Sequence, residues 1–175
     1  MRRATRTTDD GTRLPFDPIA EARRQWVEHG WPEAAEGMAA VTSVIRAQQI
    51  LQLRLETALR PLGLTFARYE VLMLLLFSRN GSLPMSRIGE RLQVHPASVT
   101  NAVDRLERDR LADRSPHPSD RRAVLASITG LGRQRAARAT ELLNGSVFTD
   151  PGLDPQDTSL LVTVLRTLRR RAGDF

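Results

Sequence analysis

The sequence predicts a mainly α-helical fold with a small β-wing, and residues 84–129 carry the evidence. Apolar residues recur at helical spacing on both sides of a short turn. Two strand-like segments then enclose a loop that contains two prolines. This order is typical of a winged helix-turn-helix. Long amphipathic patterns before and after it predict a helical dimerisation region.

The first helix of the motif and its turn follow from simple spacing. Ile88 and Leu92 are four residues apart, so they share one helix face and are expected to pack against the core. Pro96 closes the turn at 93–95, because its fixed φ and missing N–H suit the first position of a helix. A second helix is therefore predicted to begin near residue 96.

The second helix combines a buried stripe with a polar face. Val99, Val103 and Leu106 follow the i, i+4, i+7 spacing of a buried stripe. The outward face is small and polar at its N-terminal end, which suits a helix entering a DNA major groove of about 12 Å. An ordinary solvated helix face would show the same pattern. The residues that we expect to contact bases are Ser98, Thr100, Asn101 and Arg105.

A hairpin is predicted after this helix, with strands at 112–115 and 123–129. The prolines and a Ser-Asp pair are expected to keep residues 116–122 out of the strand pairing. Arg121 and Arg122 would then project from the tip, where arginine suits a narrow, negative minor groove of double-stranded DNA. Alternatively, Asp120 pairs with one of these arginines and only stiffens the loop. Both can hold at once.

Several of these segments together resemble the MarR family of bacterial transcription regulators. The resemblance covers roughly residues 36–171, and its most specific parts are the wing "SDRRAV" and the following "ITGLG". It also includes "VDRLERDRL" at the end of the helix-turn-helix. One departure is Arg110, because the family usually has glycine at this place before the leucine. The turn into the first wing strand is therefore expected to be shaped differently.

The resemblance also implies a small effector that releases DNA. The extra N-terminal helix with Trp26 is similar to the subgroup that responds to urate. Glu70 stands where that subgroup has aspartate, and Ala102 stands where it has the arginine that would hold the anion. Trp26 and Glu70 are thus candidate ligand residues for an anionic or aromatic molecule, and urate itself is disfavoured. Alternatively, Trp26 only packs and Glu70 only pairs with Arg68 or Arg46.

Composition limits the class of protein. The 175 residues are 41% hydrophobic and carry a net charge of +6, which suits a globular protein with a real core. All the basic side chains except histidine are arginine. Residues 84–129 contain eight arginines and six acidic residues, so DNA binding must depend on where the charges lie. No cysteine is present, which excludes disulfides and thiolate metal sites.

The elements before the motif are predicted in order. Residues 1–16 are rich in Thr and Arg and are expected to be a disordered tail, or alternatively a DNA-binding arm. Asp17 and Pro18 are an N-cap and a first-turn proline, so a short helix should start there and stop at Gly30. A helix of about seven turns is predicted from Glu33 to Arg60. Residues 17–62 would form an N-terminal dimerisation region.

The DNA-binding lobe is assigned to residues 63–129. Thr65 should cap its central helix, in which Tyr69, Leu72, Met73 and Leu76 are predicted to face the core. Leu83 and Met85 should form a short strand that pairs with the wing.

Residues 130–175 are predicted to hold two further helices that complete the dimerisation region. The first starts at Gly130, with Leu131, Leu142 and Leu143 as its apolar anchors. Asp154 and Pro155 repeat the cap-plus-proline signal before a helix that runs to Arg171. The apolar stripes of the long helices exceed what one thin lobe can cover, so we expect a homodimer.

The remaining functional classes find little support in the sequence. The three histidines stand in different contexts, without a ligand partner at i+3 or i+4, so no metal site, cofactor or enzyme is expected. Metal sensing through these histidines is a minor alternative. No apolar run is long enough to span a bilayer, which favours a cytoplasmic protein.

We therefore predict a repressor that binds a pseudo-palindromic operator and is released from it by a small-molecule ligand. The alternative is a constitutive or architectural DNA-binding or helix-mediated interaction protein without ligand response.

Overall fold

A computed structural model describes residues 14–120 and 123–175. The chain forms two compact units, of which the first ends at Ile50 and the second comprises Leu51–Phe175. Most of the predicted tail, and the two predicted wing arginines Arg121 and Arg122, lie outside the described residues.

The first unit contains helix α1, Pro18–Glu28, and the N-terminal part of helix α2, Pro32–Leu59. Asp17 caps α1 as predicted, because its carboxylate accepts a hydrogen bond from the Ile19 N–H at 2.9 Å. The rings of Trp26 and Trp31 meet edge to face across the turn that follows, with their centroids 5.3 Å apart. Trp31 therefore anchors this junction, although about half of its side chain is exposed.

The second unit contains the remaining helices and the sheet. After α2, a short 3₁₀ turn at Arg60–Leu62 leads to the helix-turn-helix, the wing and two further helices. Its elements are α3 (Phe66–Phe77), β1 (Ser82–Pro84), α4 (Met85–Leu92), α5 (Pro96–Arg108), β2 (Ala112–Pro116), β3 (Val124–Ile128), α6 (Gly130–Leu143), a π-helical turn (Asn144–Phe148) and α7 (Pro155–Arg171). A mainly helical fold with a small three-stranded wing sheet is thus confirmed.

Helix α3 lies at the centre of the core of this unit. Thr65 caps it as predicted, accepting from the Arg68 N–H. The predicted core-facing residues are confirmed, because Tyr69 and Leu72 are buried, and Met73 and Leu76 are partly buried and pack against the core. Val71 and Leu75 are buried as well. A central helix contacts neighbours on more than one side, so its buried face is wider than one stripe. The buried residues of α3 are Tyr69, Val71, Leu72 and Leu75.

The sheet has the antiparallel order β1-β3-β2. The predicted short strand exists, but it ends at Pro84, and Met85 begins α4 instead. The prediction that Pro116 stays out of the sheet was also wrong, since Pro116 pairs with Val124. Both prolines belong to edge strands, where a missing N–H costs no hydrogen bond within the sheet.

Helix α6 packs through small residues rather than through its first leucine. Leu131, predicted as an apolar anchor, is 44% exposed, whereas Leu143 is fully buried. The buried face consists of Gly132, Ala136, Ala139 and Leu143. A Cβ atom at Gly132 would lie 2.0 Å from the Leu111 carbonyl oxygen. The glycine therefore allows α6 to approach the start of the wing as closely as it does.

Arg110 has a φ of +59°, a left-handed conformation that favours glycine. Glycine, which the family usually has at this position, would adopt the same conformation without strain. The arginine therefore does not require a differently shaped turn. The hydroxyl of Thr129 donates to the Arg110 carbonyl at 2.8 Å and accepts from the Gly132 N–H at 2.9 Å. This one side chain connects the turn before β2 to the first turn of α6.

We expect Arg110→Gly to raise the free energy of unfolding by about 0.5–1 kcal/mol. The left-handed backbone conformation destabilises the folded state by about 1–2 kcal/mol when the residue is arginine. Glycine removes this strain, but its greater freedom in the unfolded chain offsets about half of the gain. Urea denaturation would measure the change. Arg108→Gly, two residues earlier in helical backbone, is the matched control and should lower stability by about 1 kcal/mol. Equal losses in both variants would contradict the strain at Arg110.

Candidate nucleic-acid interface

Helices α4 and α5 form the predicted helix-turn-helix. Gln93 ends α4 in a left-handed conformation with φ of 55°, and α5 starts at Pro96 as predicted. Ile88 of α4 is fully buried, and so are the stripe residues of α5, namely Val99, Val103 and Leu106. These contacts fix α5 by one face and leave the opposite face in solvent.

The outward face of α5 carries side chains without protein partners. Ser98, Asn101 and Arg105 are exposed, and none of their side chains makes a hydrogen bond or ion pair with any residue that the structure describes. They line a cleft of about 380 Å³ together with Thr65, Ala67, Arg68 and Ala102. Their donors and acceptors are therefore free to meet an external partner.

Thr100 lies on the opposite flank of α5 from this cleft. It is exposed and lines a second cleft of about 540 Å³, between α5, the start of α4 and the wing. Ser86, Arg114 and Asp120 line the same cleft. The four candidate base-contacting residues thus do not share one surface, because Thr100 faces the wing side.

Arg114 of β2 connects the wing to α5. Its guanidinium is 2.5 Å from the Asp104 carboxylate, 3.8 Å from that of Glu107, and donates to the Thr100 carbonyl oxygen at 3.1 Å. Two acidic charges on α5 are thereby partly neutralised, which reduces their repulsion of a polyanion. The role of Arg114 could not be predicted from the sequence, because its partners lie 14, 10 and 7 residues earlier and no local pattern connects them.

The described part of the wing loop contains a local hydrogen-bonded turn. His117 Nδ1 accepts from the Ser119 N–H at 3.3 Å, and the Ala123 N–H donates to the Asp120 carbonyl at 3.0 Å. The position of Arg121 and Arg122 at the tip, their contact with DNA and a pairing of either with Asp120 stay predictions.

Arg68 attaches α3 to the C-terminal end of α5. Its side chain is only 15% exposed, lies 3.2 Å from the Asp109 carboxylate and donates to the Gly63 carbonyl at 2.7 Å. Arg68 therefore does not pair with Glu70, as one alternative from the sequence had expected. It instead holds the cleft-lining end of α3 against α5.

The two candidate ligand residues belong to different units. Trp26 is half-buried in the first unit against Trp31. Glu70, in α3 of the second unit, is half-buried without a hydrogen bond or ion pair to a described residue. Burial raises the pKa of the Glu70 carboxyl above its ordinary value of 4.5, because the charged form loses hydration.

We expect Glu70→Gln to be more stable than the unchanged protein at pH 7 and equally stable near pH 4. A raised pKa means that the folded state binds the proton more tightly, so stability falls as the pH rises above 4.5. Glutamine removes this dependence, since it cannot ionise. Thermal melts from pH 4 to pH 8 would measure it. The exposed Glu56→Gln is the control, and the same pH profile in both variants would contradict the argument.

Other chemistry finds little support in the parts of the chain that the structure describes. Those residues include no group of three histidine or acidic side chains that could hold a metal ion. No helix among them has the length and apolarity to cross a membrane.

Comparison with known proteins agrees with this geometry. A family model described as "MarR family" matches residues 64–124, which contain α3 to β2 and the start of β3. The HTH-type transcriptional repressor MdtR of Bacillus subtilis is 41% identical over 70 residues, which are 40% of this chain and 44% of MdtR. The chain spans about half the length of the curated relatives it matches.

Solved structures extend the likeness over most of the chain. Sco3205 of Streptomyces coelicolor, a MarR family regulator solved in complex with DNA, is 26% identical with a TM-score of 0.67. That match covers 77% of this chain and 86% of Sco3205. Sco5413, from the same organism, is 49% identical with a TM-score of 0.73 and is itself a MarR family transcriptional regulator. Here the match covers 80% of this chain and 97% of Sco5413.

The likeness to Sco5413 is one of sequence as well as fold, because nearly its whole length is matched at 49% identity. The predicted family and the prediction of a regulator instead of an enzyme are both confirmed by this relationship. The chain belongs to the MarR family of DNA-binding transcription regulators.

Proposed function

We propose that this protein is a sequence-specific repressor that binds a pseudo-palindromic operator through α5 and the wing. The observation that carries the proposal is the set of unpartnered side chains on the exposed face of α5, beside a wing that Arg114 attaches to it. Such a face can offer hydrogen bonds to base edges in the major groove. Repression is favoured because MdtR is named a repressor.

Fluorescence anisotropy with the intergenic DNA beside the protein's own gene would test the proposal. A labelled duplex of that sequence should bind at least about 1,000-fold more tightly than a scrambled duplex at the same salt concentration. A transcription assay on the same DNA should then give less transcript as protein is added. Equal affinity for both duplexes would favour a constitutive architectural binder.

Binding to a pseudo-palindrome requires a two-fold symmetric protein, and we propose a homodimer. Apolar side chains of α2 and α7 are exposed in the single chain. On α2 they include Val41, Val44, Ile45, Ile50 and Leu53, and on α7 they include Leu160, Leu161, Val162, Val164 and Leu168. Exposed apolar surface of this extent is typical of an obligate interface, which buries on the order of 2,000 Å².

We expect a dimeric mass in light scattering at micromolar concentration. Leu161→Glu on α7 should shift the mass toward the monomer, because a carboxylate would be buried without a partner. Thr163→Glu, a neighbouring exposed polar position, is the control and should leave the mass unchanged. A monomeric unchanged protein would contradict the dimer. Operator half-sites about one helical turn apart would agree with it.

A second proposal is release of the operator by a small anionic or aromatic effector. Its support is Glu70, a half-buried carboxyl without a protein partner among the described residues. This carboxyl can accept a hydrogen bond from a phenolic hydroxyl when it is ionised and donate one to an anionic oxygen when it is protonated. A ligand-binding role for Trp26, which belongs to the first unit, stays a separate prediction.

Thermal-shift measurements with benzoate, phenol and urate would test for an effector. A compound that stabilises the free protein should weaken operator binding, and it should itself bind the DNA complex less well, since coupling is reciprocal. Glu70→Ala should abolish both effects while the operator affinity without effector stays unchanged. Stabilisation without any change in operator affinity would favour constitutive binding.

A further inference from the structure

The N-cap of α5 is a histidine, although Ser, Thr, Asp and Asn are the preferred N-cap residues. His95 Nδ1 accepts a hydrogen bond from the Ala97 N–H at 3.2 Å. A ring nitrogen that accepts carries no proton, so in the neutral ring the proton is on Nε2. The cap therefore fixes both the orientation of the ring and its tautomer.

The capping arrangement leaves an N–H donor at the leading end of α5. His95 is exposed, and its Nε2 has no hydrogen-bond partner among the residues that the structure describes. Pro96 and Ala97, which follow, carry no polar side chain. The next polar group along the exposed surface is the Ser98 hydroxyl. In a helix-turn-helix, the N-terminal residues of the second helix are the ones that contact base edges.

His29 provides the opposite arrangement within the same protein. Its Nδ1 lies 2.8 Å from the Gln25 carbonyl oxygen at the end of α1. A carbonyl can only accept, so His29 Nδ1 carries the proton and its Nε2 is an acceptor in the neutral ring. The outward donor at His95 is thus a consequence of its capping contact and not of histidine as such.

We propose that His95 is a DNA-contacting residue, whose Nε2–H donates to an acceptor on the operator while Nδ1 caps α5. The acceptor is either a purine N7 in the major groove or a phosphate oxygen, both of which take a single N–H donor. Serine or aspartate at this position would cap the helix equally well without placing an N–H donor outward. The inference rests on the proposed operator binding.

The test compares His95→Ser with His95→Asn. Serine keeps the cap and removes the N–H donor, so the melting temperature should stay within about 2 °C while operator affinity falls about 5- to 10-fold. Asparagine keeps a capping oxygen and also has an N–H₂ donor, so it should recover part of the lost affinity. His29→Ser removes an exposed histidine from α1 and should leave operator affinity unchanged.

Modified duplexes would identify the acceptor. Replacing single purines by 7-deazapurines removes N7, and methylphosphonates remove single phosphate charges. The modification at the contacted atom should weaken the unchanged protein but not His95→Ser, because that variant has already lost the bond.

Two results would overturn the inference. One is His95→Ser binding the operator as tightly as the unchanged protein, which leaves the proposed DNA binding intact. The other is a loss of operator affinity in His95→Ser together with modified duplexes that each weaken the variant as much as they weaken the unchanged protein. That result would mean that the substitution only loosens α5. Failure of the unchanged protein to prefer its operator would instead refute the proposed function.

Discussion

Gly132→Ala is expected to lower the free energy of unfolding by about 3 kcal/mol, the upper part of the range for overpacking a core. The added methyl group would lie 2.0 Å from the Leu111 carbonyl oxygen and 2.9 Å from Ile128 Cγ1. The nearest atom belongs to the backbone, so no side-chain rotation can relieve the clash. Calorimetry should show a fall in melting temperature of about 6–12 °C for a chain of this size.

Gly130→Ala is the matched control, two residues earlier at the start of the same helix. A Cβ atom there meets nothing within 4 Å, and α6 begins at this residue in helical backbone. We expect stability to stay equal or to rise by up to about 1 kcal/mol, because alanine has less freedom in the unfolded chain. Similar losses in both variants would show that the close approach of α6 to Leu111 is not the cause.

Arg105→Ala is expected to weaken operator binding by about 1–3 kcal/mol, roughly 5- to 150-fold, and to relax specificity at one base position. The Arg105 guanidinium is exposed, lines the cleft that α5 shares with Thr65 and Arg68, and has no ion-pair partner among the described residues. It is therefore free to donate two hydrogen bonds to a guanine. Anisotropy with duplexes that vary at each base position would locate the relaxed position.

Arg138→Ala controls for the loss of one positive charge, since Arg138 is exposed on α6 and already pairs with Glu141 at 2.7 Å. It should leave operator affinity almost unchanged. Arg121→Ala and Arg122→Ala, in the predicted wing tip, should instead weaken binding to all DNA sequences and flatten its salt dependence. If Arg105→Ala weakened every duplex equally, base recognition by α5 would have to be abandoned.

Local signals predicted the helices well. Asp17, Thr65 and Asp154 each cap the helix that the sequence assigned to them, because capping involves atoms only two or three residues apart. The buried stripe of α5 followed in the same way from its spacing. The exposure of Ser98, Asn101 and Arg105 is a direct consequence, since they lie on the other sides of that helix.

Contacts between distant parts of the chain could not be predicted from the sequence. The exposure of Leu131 follows from Gly132, whose approach to Leu111 decides which face of α6 is buried. Likewise, Arg114 is recognisable as a link to Asp104 only when β2 lies beside α5. The sequence indicates no capping role for His95, because that role depends on a ring orientation that a sequence does not contain.

The two edge prolines of the wing sheet also affect how the protein behaves at high concentration. Pro84 pairs with Leu125 and Pro116 with the adjacent Val124, so both lie at the same end of the sheet. An exposed edge strand can template pairing with a strand of another molecule, which leads to aggregation. Neither proline has an N–H that could pair with such a strand. The prolines therefore protect this end of the wing sheet against intermolecular β-sheet growth.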